Sequence, residues 1–201
     1  MPITNCDVKL ASDLKKNCLD PVVAGVEDGF LFDREDIDIE ATKASKIAGT
    51  NLYATLVRKT GKKGYYMENI MPPKSTKEDG TYENRMLKVL SGALLDDGDV
   101  PAAIIDALTS KHGKFIAVVR NTFVDHARAT NPGSSAFEII GLDVPLTCAG
   151  QATENDKASE ATNGGWTFAL GTKEPKARSY WYSISYDATR ALYDALGTAA
   201  V

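Results

Sequence analysis

Apolar positions along the chain change period several times, and the changes divide it. Residues 1–28 mix polar and small side chains around the short apolar stretch Pro21-Val22-Val23-Ala24-Gly25-Val26. No period of 3.6 or 2 is sustained there, so an extended N-terminal arm is expected, followed by one domain over residues 29–201. Phe30-Leu31-Phe32 reads as a brief strand. Residues 51–59 (NLYATLVRK) and 65–70 (YYMENI) are rich in β-branched and aromatic side chains and flank Thr60-Gly61-Lys62-Lys63-Gly64. That pattern predicts a β-hairpin with a charged tip. Residues 71–80 carry Pro72-Pro73 and then a charged, Gly-ended run, the composition of a mobile loop.

From Asp99 the period becomes helical. Val100, Ala103, Ile104, Ala107 and Leu108 fall at i, i+3, i+4, i+7 and i+8, so they share one face of a helix predicted over residues 99–111. Asp99 is its expected cap, Pro101 fits its first turn, and Lys111, His112 and Gly113 supply the stop. Residues 114–120 (KFIAVVR) form a short apolar run bounded by charges, which suits a strand. Further strands are expected at residues 136–142, 144–150, 166–172 and 179–185, the last with Tyr180, Tyr182 and Ile184 on one core-facing side. A closing helix near residues 187–196 places Ala188, Ala191, Leu192, Ala195 and Leu196 on one stripe, with Asp187 as cap and Gly197 past its end. Strands outnumber helices without a regular βα alternation. The expected fold is therefore mainly β (α+β), an antiparallel sandwich or barrel with one or two flanking helices.

Composition narrows the function classes. With 201 residues, 43% hydrophobic and 25% charged, the chain is large enough to fold around its own core without disulfides or a metal. Its 23 basic and 27 acidic side chains give a net charge of -4, so no global attraction to nucleic acid or anionic lipid is expected. No basic and apolar leader and no run of about 18 apolar residues is present, which predicts synthesis in the cytoplasm and no membrane span. Cys6, Cys18 and Cys148 are odd in number and widely spaced, as reduced thiols are, although a Cys6–Cys18 bridge is open in an oxidising setting.

Candidate chemistry is sparse. Residues 33–40 hold five acidic side chains in eight, which raises a calcium loop, but the EF-hand ligand order and its central glycine are missing. A solvated strand edge or subunit-facing acidic ridge is the better reading. Gly61-Lys62-Lys63-Gly64 lacks the phosphate-loop order. His112 has a structural place at a helix end, and His126, within Val124-Asp125-His126-Ala127-Arg128, is accompanied by no nucleophile signature. Trp166, Trp181, Tyr180 and Tyr182 raise a sugar platform, yet aromatics at strand spacing are more often core or interface. No catalytic residue, metal ligand or cofactor is assigned from sequence, and the chain is not expected to be an enzyme.

The order of these elements (polar arm, charged hairpin with a long following loop, lone helix at 99–111, a strand directly after it, closing antiparallel strands) resembles the tail tube proteins of long-tailed bacteriophages and the related tube subunits of contractile injection systems. Residues 18–28 (CLDPVVAGVED) with Ile37-Asp38-Ile39, and residues 164–171 (GGWTFALG), are similar to structural proteins of phages that infect Bacteroidetes. The resemblance implies a virion protein whose subunits pair sheet edges into rings, expected to be hexameric. The rings stack through the arm and loops, DNA passes the channel without specific binding, and other phage tail proteins are partners. A capsid decoration or head-to-tail connector protein is the alternative, and a carbohydrate-active sandwich enzyme a more distant one.

Overall fold

The computed structural model describes residues 25–67, 75–80, 86–95, 97–122, 124, 126, 130–148 and 151–200. Along the chain run β1 (Val26–Asp33), a 3-10 turn (Arg34–Asp36), α1 (Ile39–Ala44), β2 (Leu52–Tyr53), β3 (Tyr65–Met67), β4 (Ser75–Gly80), β5 (Met86–Leu94), α2 (Asp99–Thr109), β6 (Phe115–Asn121), β7 (Phe137–Ile140), β8 (Thr153–Asn155), β9 (Trp166–Glu174), β10 (Ser179–Trp181) and α3 (Tyr186–Asp194). They build a six-stranded sheet in the order β2-β10-β7-β6-β1-β3 and a four-stranded sheet in the order β4-β5-β9-β8. Among the described residues every strand pair is antiparallel except β2 with β10. Both sheets keep open edges, so the fold is a mainly β, α+β sandwich and not a closed barrel.

The six-stranded sheet is the middle layer, and the side-chain alternation of a strand divides the core in two. On β6, Ile116 and Val118 join Phe30, Phe32, Phe137 and Ile139 in a cluster that includes Tyr193 of α3 and the adjacent Leu196. Phe115, Ala117 and Val119 point to the other face, against Leu90, Phe168 and Leu170 of the four-stranded sheet and Ile105 and Leu108 of α2. This is why residues 115–119 read as an uninterrupted apolar run: the strand is buried on both faces. Leu146 and Thr147 staple the two sheets, bridging to Phe115 and to Gly171 respectively. Gly141, just after β7, has φ +92° and lies so close to the chain that an added Cβ would meet the Phe115 carbonyl oxygen at 2.6 Å. Only glycine fits there.

Several sequence expectations are corrected. The described parts of the expected hairpin do not pair: β2 lies at one edge of the six-stranded sheet and β3 at the other, and residues 68–70 lie outside the described residues. Leu52 and Tyr53 are instead recruited by Tyr180 and Trp181, a long-range parallel pairing that local pattern does not encode. Within the expected 71–80 loop, Ser75–Gly80 is strand β4, in register with β5 from Ser75↔Ser91 to Gly80↔Met86. Its hydrogen-bonded neighbour overrides a loop-like composition. Residues 1–24 of the expected arm lie outside the described residues, and Val26–Asp33 is already β1, so the arm's expected boundary at 28 falls inside a strand. The acidic run is no strand edge. It forms the 3-10 turn and the start of α1, where the Asp38 carboxylate accepts from the Ala41 amide at 3.0 Å. Of the expected strand at 144–150, residues 144–148 supply bridges at Leu146 and Thr147 rather than a strand and residues 149–150 lie outside the described residues, and β10 stops at Trp181.

Both expected helices are present, with different caps and different buried faces. Gly98 precedes α2 and Asp99 sits in its first turn, while Ser185 caps α3 by accepting from the Ala188 amide at 3.2 Å. The side chains of α2 that reach the core are Pro101, Ile105 and Leu108. Those of α3 are Thr189 and Tyr193. The apolar stripe read from sequence is turned outward over most of its length in each.

Candidate functional site: an apolar groove along α2

Val100 is 65% exposed and Ile104 43%, while Tyr65 and Tyr66 on the edge strand β3 are 60% and 56% exposed. Val100, Ile104 and Tyr65 rim a groove of about 890 Å³ whose lining is predominantly apolar. Its helical wall is Val100, Ala103, Ile104 and Ala107, and β3 faces it with Tyr65 and Met67, while the Tyr66 side chain turns to the other face of the sheet, against Phe30. Leu31, Phe115 and Phe168 line it from the two sheets, and Asp33 and Asp99 contribute its carboxylates. Burial raises the affinity of the Asp33 carboxyl for its proton, and the nearby charges of Asp36 and Glu35 raise it further against the opposing pull of Lys62. The pair Lys62–Asp36, 2.8 Å apart, fixes the loop before β3 to the 3-10 turn.

A polar knot occupies the opposite, α3 face of the six-stranded sheet. Tyr66 donates its hydroxyl to Asp28 Oδ2 at 3.2 Å, and Asp28 also accepts from Arg120 Nε at 3.0 Å, Arg120 Nη2 at 2.6 Å and the Tyr193 hydroxyl at 2.7 Å. Asp28 and Arg120 are register partners across β1 and β6, so the ion pair lies flat on the sheet, beneath α3. Burial foremost, then the hydrogen bond to Asp28 and its charge, hold the Tyr193 phenol far above its ordinary value, so it stays a neutral donor. A continuous run of ring contacts follows the same face. Tyr66 meets Phe30 at 5.2 Å, Phe30 meets Tyr193 at 5.2 Å, Tyr193 meets Phe137 at 4.8 Å and Phe137 stacks on Tyr186 at 5.9 Å.

A second polar knot closes the sandwich elsewhere. Lys88 of β5 and Glu174 of β9, each almost fully buried, meet at 2.6 Å. Glu174 Oε1 accepts the amides of Gly141 and Asp143, and Lys88 donates to the Ala177 carbonyl at 3.2 Å. Arg178 reaches buried Glu138 of β7 at 3.1 Å. These charges tie chain ends and turns of both sheets together, and at 1% and 3% side-chain exposure Lys88 and Glu174 are closed to a substrate. Such a buried pair adds little net stability against an apolar pair of the same volume, but removing one partner leaves the other charge buried and is costly.

The residues weighed from sequence scatter. His126 packs edge-on against Tyr186 at 4.8 Å, while Asp125, Ala127 and Arg128 lie outside the described residues. The exposed His112 donates its amide to Ser110 Oγ in the turn after α2. Trp181 belongs to the cluster under α3 and Trp166 to the one between the sheets, so the aromatics do not share a platform. Ser179 and Trp181, rather than Tyr180, are the buried positions of β10, and Ile184 beyond it is 87% exposed. Cys148 is a free thiol whose Sγ donates to the Thr109 carbonyl at 3.1 Å, whereas Cys6 and Cys18 lie outside the described residues. Among the described residues, no group of three or more His, Cys, Asp or Glu side chains is placed to hold a metal ion, and no helix is long and apolar enough to cross a membrane. The groove has no signature in the sequence, because the shared helical face of Val100, Ala103, Ile104 and Ala107 does not state what that face meets. Comparison with protein-family models, curated proteins and solved structures found no match.

Proposed function

We propose that the chain is a structural subunit that self-associates, a virion protein of the tail tube kind whose rings stack into a conduit for DNA. The observation that carries this reading is the outward-facing apolar surface of α2 and β3. It places Val100, Ile104 and Tyr65 around one groove beside the β3 edge of the six-stranded sheet. Contiguous apolar surface of this kind marks a contact with another macromolecule, and an unpaired strand edge is a template for a second strand. Among the described residues, β3 in one sheet and β4 and β8 in the other are edge strands that can pair between copies, whereas the outer side of β2 is taken by Lys46 and Ile47. The best-formed charges are spent inside the subunit on Asp28–Arg120 and Lys88–Glu174, as befits a part whose task is shape.

Negative-stain microscopy and light scattering of the full-length protein, alone and with preformed tail ends, test the reading. Rings of about six copies or stacked tubes are expected. A protein that stays monomeric at high concentration in both conditions overturns it.

A further inference from the structure

We infer that Lys88 and Glu174 become joined covalently, by an amide between Nζ and Cδ that the folded chain forms with loss of one water. The two residues are diagonal neighbours on one face of the four-stranded sheet: Lys88 of β5 is in register with Thr172 of β9, and Glu174 follows two residues later. Their side chains are 1% and 3% exposed, and Lys88 Nζ stands 2.6 Å from Glu174 Oε2. Amine and acyl carbon are thus held side by side away from water, and well-oriented groups within one molecule react as if at roughly 10⁵ to 10⁸ M.

The other carboxyl oxygen is held as an acyl group under attack requires. Glu174 Oε1 accepts the Gly141 amide at 3.2 Å and the Asp143 amide at 3.1 Å. Arg34 ties the same turn down, donating to the carbonyls of Gly141 at 2.6 Å and Asp143 at 3.4 Å. Two fixed amides aimed at one oxygen stabilise the negative charge it gathers when an amine adds to the carbonyl carbon. The Ala177 carbonyl, 3.2 Å from Nζ, orients that amine.

Atoms and electrons balance within the pair. Nζ passes one proton to Oε2 across their contact, which leaves an amine beside a carboxylic acid. The nitrogen lone pair forms the Nζ–Cδ bond while the carbonyl electron pair moves onto Oε1. Return of that pair breaks the bond from Cδ to Oε2, which departs with its proton and takes a second one from nitrogen to become water. Nothing is oxidised or reduced. The amide carries no charge, so the cost of keeping two ions out of water disappears. This cross-link between β5 and β9 lies within one subunit and is independent of the assembly proposed above.

Intact-mass spectrometry of the full-length chain, followed by tryptic mapping, tests it. The folded protein should be lighter than its sequence by one water. Residues 86–111 should be found joined to residues 174–176, because trypsin does not cut after an acylated Lys88. The chain recovered in urea before it has folded should have the full sequence mass and lose the water on refolding. Lys88→Arg, which keeps the charge but offers no amine, should keep the full mass after folding. Folded wild-type protein of full mass overturns the inference whether or not the Arg variant folds. So does a water lost at another position, from the unfolded chain, or from the Arg variant.

Discussion

Helices α2 and α3 are similar in length and in the spacing of their apolar residues, and both turn much of that stripe away from the sheets, yet they leave different surfaces behind. What α3 buries is polar: Thr189 donates to the Ser185 carbonyl at 2.7 Å and accepts from the Ser183 amide at 2.9 Å, while Tyr193 reaches Asp28. Its exposed side carries Asp187, Arg190 and Asp194, and the only apolar side chains among them are Ala191 and Leu192, the latter half in water. Helix α2 buries Pro101, Ile105 and Leu108 and leaves a second apolar face, Val100 to Ala107, in the groove. Satisfied buried hydroxyls fix a helix in one place, whereas an apolar face left over after packing offers something to a partner. On this comparison α3 is a structural clamp and α2 a helix with two sides in use.

Removing the clamp's anchor should have the largest effect. Asp28→Ala leaves the Arg120 guanidinium without its bidentate partner and frees the Tyr193 and Tyr66 hydroxyls, and losing one member of a buried pair costs about 3 to 5 kcal/mol. Urea unfolding at neutral pH measures it. A loss below about 1 kcal/mol would mean that α3 is held by its apolar contacts alone. At α2, Ile105→Ala should cost about 2 to 5 kcal/mol, since Ile105 sits within the core shared by the two sheets. A near-neutral result would place the helix on the protein loosely and break the distinction between its two sides.

The sequence made the layers legible and the partners of individual strands not. The strand at 115–121 and both longer helices follow from run length and period, which are local properties, although α2 is preceded by Gly98 rather than capped by Asp99 and ends at Thr109, before the expected stop at 111–113. By contrast β2 pairs with a strand more than a hundred residues away, and β4 is a strand because β5 lies beside it. The groove failed to appear for a related reason. An apolar stripe states that a face wants an apolar neighbour, and only the packed structure shows that Ile105 and Leu108 took the core while Val100 and Ile104 did not. Nor does any spacing pair Asp28 with Tyr193, which are 165 residues apart.

A subtler way to probe the clamp is to change its protonation. Tyr193→Phe removes one hydrogen bond to a carboxylate, worth about 1.5 to 3 kcal/mol at neutral pH. The wild type should also weaken in alkali. Because the folded protein holds the Tyr193 proton above its ordinary value near 10, the stabilisation is complete below about pH 10. It is lost as pH rises beyond that, since the unfolded chain gives up the proton and the folded one retains it. The slope from this one group approaches about 1.4 kcal/mol per pH unit, and the Phe variant should lack it. Equal alkaline slopes in the two proteins would show that the phenol is not what couples α3 to Asp28.

The smallest expected change in stability is the one that bears most on α2. Ile104→Ser removes an aliphatic side chain already 43% exposed, on the face turned away from Ile105, so unfolding of the isolated subunit should shift by no more than about 0.5 kcal/mol in either direction. The matching change on the other helix, Leu192→Ser, begins from a similar 47% exposure and should be equally mild. The two are thus paired controls for one another in the monomer, and any difference between them must come from association. Sedimentation of the two variants at matched concentrations should show Ile104→Ser shifted toward the monomer and Leu192→Ser indistinguishable from wild type. If both variants associate as wild type does, the exposed face of α2 is only surface, and the contrast with α3 reduces to which residues each helix happens to bury.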